Sequence, residues 1–97
     1  MKKAPVTFKL NGYPDAKKVS IAGSFNYWNP GSDYLERNGE SWTIEILLPG
    51  GTVEYKFVVD GKWVVDPENP ETIRKNGHTN SLLTVGNISL TPVTPQP

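Results

Sequence analysis

The sequence predicts an all-β domain, an antiparallel β-sandwich of six to eight short strands. Three observations predict it. Apolar residues recur with period two in one segment after another, whereas the helical period is almost absent. Nine glycines and nine prolines punctuate the 97 residues and set turn signals between those segments. Ten residues are aromatic, three of them Trp. That bulk is needed, because a domain of this size buries only about 60–65% of its unfolded surface. One-sided alternation makes sheets with one buried face, and two such faces packed together make a sandwich.

The first strand is read from Val6, Phe8 and Leu10 alternating with Thr7 and Lys9, ending at Asn11-Gly12. In the second, Val19, Ile21 and Gly23 alternate with Ser20 and Ala22. Tyr34 to Arg37, followed by Asn38-Gly39, reads as a short hairpin partner for the next strand, Trp42 to Leu48, which stops at Pro49-Gly50-Gly51. Val53, Tyr55, Phe57 and Val59 then alternate with Glu54, Lys56 and Val58. Asp60-Gly61 is a two-residue hairpin signal, because a type I′ turn needs positive φ at both central positions. It turns the chain into Lys62 to Val65, and Leu82 to Val85 supplies the last strand. Parity sends Phe8, Trp42, Tyr55 and Phe57 inward. Residues 1–4 read as an N-terminal extension, 5–86 as the domain and 87–97 as a Pro-rich linker or tail towards a neighbouring domain.

Ten Lys plus Arg against ten Asp plus Glu leave no net charge. Nucleic acid and anionic membrane surfaces both call for a basic excess, so neither is an expected partner. No apolar run approaches the roughly 20 residues of a transmembrane helix. Met1-Lys2-Lys3 opens like a signal peptide, but Ala4-Pro5-Val6-Thr7 is no apolar continuation. With no cysteine there is no disulfide, thiolate or Cys-based zinc site, and cytoplasmic and secreted locations are both compatible.

The informative residues are aromatics that the alternation does not use. Phe25-Asn26-Tyr27-Trp28-Asn29-Pro30 occupies a loop that should be polar, and Trp63 follows the Asp60-Gly61 turn. Such a Trp either plugs the end of a sandwich or offers a flat apolar face to a ligand, and Phe25 is the better plug. A sugar ring suits the second role: its axial C–H groups stack on an indole while polar side chains bond its hydroxyl rim. Lys56, of outward parity between Tyr55 and Phe57, would stand beside Trp63 or else be an ordinary solvated lysine.

GSFNYW (23–28), VEYKFVVDGKWVVDPENP (53–70) and GHTNSLLTV (77–85) together resemble the glycogen-binding type of carbohydrate-binding module. That family is found in the β subunit of AMP-activated protein kinase and beside the catalytic domains of branching and debranching enzymes. The resemblance spans Pro5 to Val85 and implies a non-catalytic, immunoglobulin-like β-sandwich that binds α-1,4-glucan such as glycogen or starch. The expected partner besides the polysaccharide is a covalently linked catalytic or regulatory domain, and the isolated chain is expected to be a monomer. It implies Trp28 and Trp63 as stacking platforms, with Lys56 and Asn80 bonding glucose hydroxyls. In the last loop Asn76 stands where the kinase subunits carry an apolar residue, and His78 where they carry threonine; both are carried over as site residues. Related modules accompany enzymes acting on cell-wall glycans, so xylan is an alternative ligand, and a structural domain docked on a catalytic partner is an alternative role.

No cofactor, metal or catalytic residue is expected. His78 is the only histidine and has no ligating companions. Asp60 is demanded by its turn, and Asp66 precedes Pro67 as a turn initiator. Glu68 and Glu71 read as loop residues over Pro67–Thr72, and a glycosidase pair would also need a cleft that distorts the sugar. Ser24 and Ser41 lack an activating His, and Gly50-Gly51 joins two strands instead of cradling phosphate. Asn87-Ile88-Ser89 is a glycosylation sequon by pattern.

Overall fold

The computed structural model describes residues 3–86; the Pro-rich tail and the sequon lie outside the described residues. Eight strands follow in order: β1 (Lys3–Asn11), β2 (Val19–Gly23), β3 (Glu36–Asn38), β4 (Ser41–Pro49), β5 (Gly51–Val59), β6 (Lys62–Val64), β7 (Thr72–Lys75) and β8 (His78–Val85). One sheet has the order β1-β4-β3; the other has β2-β5-β8-β7, with β6 also paired to β5. Each of these pairings is antiparallel.

The core lies between the sheets, as period-two patterning requires. Phe8, Leu10, Trp42 and Leu48 from the smaller sheet meet Ile21, Tyr55 and Phe57 from the larger, all buried. Aromatic edges lock the contact: Phe8 sits 4.9 Å from Tyr55, which in turn sits 5.7 Å from Phe57. Trp42 satisfies its indole N–H by donating to the Tyr13 carbonyl at 3.3 Å. Phe25, from the loop after β2, stacks on Phe8 at 5.8 Å and packs against the core. A side chain at Gly23 would fall 2.4 Å from the Glu54 carbonyl oxygen and 2.7 Å from the Phe25 ring, so only glycine lets the strand and Phe25 approach.

Three elements differ from the sequence reading. Lys3 and Ala4, placed in an extension, belong to β1 and pair with Pro49 and Leu48. β2 is buried on both faces, because its outward residue Ser20 is bridged by Tyr34 from the loop that folds back along the strand. β7 was not anticipated: one apolar residue, Ile73, gives no visible period in Thr72–Lys75. Its turn signal was present, however, since Asn76 (φ 50°) and Gly77 (φ 81°) form a two-residue hairpin like Asp60 (φ 49°) and Gly61 (φ 88°).

The pairing of β5 positions the site. β2 takes one edge over Tyr55–Val59. The other edge is shared: β8 pairs Gly51–Tyr55 and β6 pairs Phe57–Val59, leaving a seam at Lys56. The seam costs no ladder bond. Glu54 and Asp60 both turn their peptide groups towards β2 and the chain before it, and strand alternation turns those of Lys56 the same way.

Candidate functional site

Residues opposite each other in an antiparallel ladder share a face. Trp63 opposes Val58, Lys56 opposes Ala22 and Glu54 opposes Leu82; Asn80 opposes Ile73 and His78 opposes Lys75. With Tyr55 and Phe57 buried inward, Glu54, Lys56, Trp63, Lys75, His78 and Asn80 all stand on the outer face of the larger sheet.

Trp28 reaches that face from the loop after β2. Asn26 builds the loop: its side-chain Oδ1 accepts from Gly23 N–H at 2.9 Å, and its side-chain Nδ2 donates to the Ile21 carbonyl and to the Asp33 carboxylate. The Gly23 carbonyl accepts from the N–H groups of Asn26 and Trp28. Tyr27 (φ 57°) and Trp28 (φ 55°) hold left-handed backbone, which costs of order 1–2 kcal/mol per residue and survives because this network over-determines the loop. Tyr27 points into solvent, while Trp28 is half-buried.

Trp28, Lys56, Trp63, Asn76, His78 and Asn80 line one open concavity of about 710 Å³. All six residues singled out in the sequence therefore come together. Trp63 is 45% exposed, too open for a core plug and held by a three-residue strand. Lys56 makes no ion pair among the described residues and is left free to donate.

Three residues of the same concavity escaped the sequence reading: Ser24, Glu54 and Lys75. Glu54 organises one wall, accepting from Lys75 Nζ at 2.6 Å and from the Asn80 amide at 3.1 Å. Those two bonds, Lys75 first, hold its carboxyl below the ordinary glutamate value despite partial burial. Ser24 ties the strand edge, its hydroxyl accepting from Glu54 N–H at 3.1 Å. A signal for Glu54 existed, two residues before Lys56 at the same parity, but its partners are 21 and 26 residues away. Among the described residues no group of three His, Cys, Asp or Glu side chains is gathered to hold a metal.

Two indoles and a set of amide and ammonium donors thus line one open concavity on the outer face of a β-sandwich. Residues 4–91 match the family described as the glycogen recognition site of AMP-activated protein kinase, and the chain belongs to that family. It is 35% identical over 81 residues to 5'-AMP-activated protein kinase subunit beta-1 of Sus scrofa, covering 84% of this chain and 63% of that one. It is 39% identical over 67 residues to the SNF1-related protein kinase regulatory subunit beta-2 of Arabidopsis thaliana, covering 69% of this chain and 23% of that subunit. The chain thus spans less than two thirds of either relative. A maltogenic amylase from S. marinus shares the fold over 91% of this chain and 14% of its own, with a TM-score of 0.77 and 23% identity.

Proposed function

We propose that this domain binds α-1,4-glucan of the glycogen or starch type and has no catalysis of its own. The observation that carries the reading is that Trp28 and Trp63 line the same open concavity. Each indole takes the C–H face of one glucose ring, contributing about 0.5–1.5 kcal/mol beyond area burial. Lys56, Asn80, Asn76 and His78 bond the hydroxyl rims, with Asn80 steered by Glu54. Hydroxyls are well hydrated before binding, so these bonds add little net energy and mainly select orientation. Affinity then falls at roughly tens of micromolar to millimolar, and the module works by raising the effective concentration of a covalently attached catalytic or regulatory domain on the polysaccharide. The isolated module acts as a monomer. Membership of the glycogen-recognition family supports the choice of glucan.

Titrating maltoheptaose and xylohexaose against the amide NMR spectrum tests it. Maltoheptaose is expected to shift the indole N–H signals of Trp28 and Trp63, and xylohexaose to leave them still. The reverse result assigns a cell-wall glycan instead. Silence with both sugars assigns a structural domain that docks on a partner through Trp63.

A further inference from the structure

Trp63 lines two concavities. The second, also about 710 Å³, lies further along the outer face, over Ser20 and Val58. Its floor and walls form one row across the sheet: Tyr34 bridges Ser20, Ser20 opposes Val58, and Val58 opposes Trp63. Ser20 and Val58 are buried, while Tyr34 is 49% exposed. Two half-open aromatics thus flank a closed floor, three strand spacings or about 14 Å apart at the backbone. Pro30-Gly31, from the loop that carries Trp28, line it as well.

The lining offers hydrogen-bond donors that a hydroxyl-rich ligand can use. Lys17 and Lys18 stand at the rim. The one carboxylate present, Asp60, is already engaged by the backbone N–H groups of those two lysines at 2.8–3.2 Å. The wall between the two concavities is an indole, which has two faces to offer.

We propose that the second concavity is a further subsite in which the same glucan chain continues past Trp63 and stacks on Tyr34, an inference that rests on the glucan reading above. A short oligosaccharide fills the Trp28–Trp63 concavity alone; a longer one gains the second stack.

The test uses the 97-residue chain with maltotriose and maltoheptaose, followed by amide NMR in the wild type, Tyr34→Ala and Tyr34→Phe. Maltoheptaose is expected to shift the amides of Lys18, Gly31 and Tyr34 together with those around Lys56 and Asn80, and maltotriose only the latter. Tyr34→Ala is expected to leave the maltotriose Kd unchanged and to weaken maltoheptaose about fivefold, with Tyr34→Phe close to wild type. Motionless Lys18, Gly31 and Tyr34 amides during maltoheptaose binding overturn the subsite and leave the glucan reading standing. So does an equal loss for both sugars in folded Tyr34→Ala. A wild type that binds neither sugar overturns both. Should Tyr34→Ala fail to fold, the wild-type shift map decides by itself.

Discussion

The side-chain amide of Asn80 donates to Glu54 across 26 residues of sequence, while Lys75 takes the other carboxylate oxygen. One carboxylate therefore sets the direction of a residue assigned to the sugar rim. Glu54→Gln keeps the shape but weakens both bonds. We expect about a threefold loss of maltoheptaose affinity, equivalent to the loss of part of one charge-assisted hydrogen bond, with little change in thermal midpoint. Isothermal titration beside a melting curve separates the two effects.

The same contact gives a pH signature. The folded Glu54 pKa lies below its ordinary value of 4.5, so the carboxylate's contribution is complete above that value and fades as pH falls through the lower, folded one. Following the Glu54 carboxyl carbon by NMR should give a midpoint under 4.5, with the Lys75 and Asn80 signals moving in step. A midpoint at or above 4.5 would contradict the clamp.

Trp28→Ala and Trp63→Ala should each weaken retention on a glycogen affinity gel about tenfold, which corresponds to about 1.4 kcal/mol of stacking. Both indoles lie outside the core, so the amide dispersion of each variant should stay that of a folded domain.

Tyr55 anchors the far side of β5. Its hydroxyl donates to Asp66 at 2.7 Å and accepts from Asn69 at 3.1 Å; burial first, then the Asp66 bond, raise its pKa far above the ordinary tyrosine range. Tyr55→Phe leaves both partners short of a bond and should cost about 1–2 kcal/mol. For a domain of this size that lowers the melting temperature by several degrees, about 4–8 °C per kcal/mol. Glucan titrations should be unaffected, since the ring faces inward.

Much of this was legible in the sequence, for a local reason. The inward parity of Phe8, Trp42, Tyr55 and Phe57 needs only the alternation of each strand, and Trp63 is placed by the Asp60-Gly61 turn just before it. What was not legible depended on partners distant in the chain. Glu54 looked like any outward strand carboxylate until Lys75 and Asn80 were folded against it. The double burial of β2 arises from Tyr34, a residue that alternation assigned to a separate hairpin. β7 carried a usable sign in Asn76-Gly77, yet its single apolar residue left no period to notice.

The seam at Lys56 also has an engineering meaning. Because β6 and β8 meet the same edge of β5 end to end without pairing to each other in the ladder, the two lips of the concavity belong to separate hairpins. The Asn76-Gly77 turn at the tip of the β7–β8 lip can be varied while Glu54 holds Lys75 and Asn80 on either side of it and Asp60 holds the Trp63 hairpin to Lys17 and Lys18. The fold thus works as a vice whose two jaws are fastened separately, one by Asp60 and the other by Glu54.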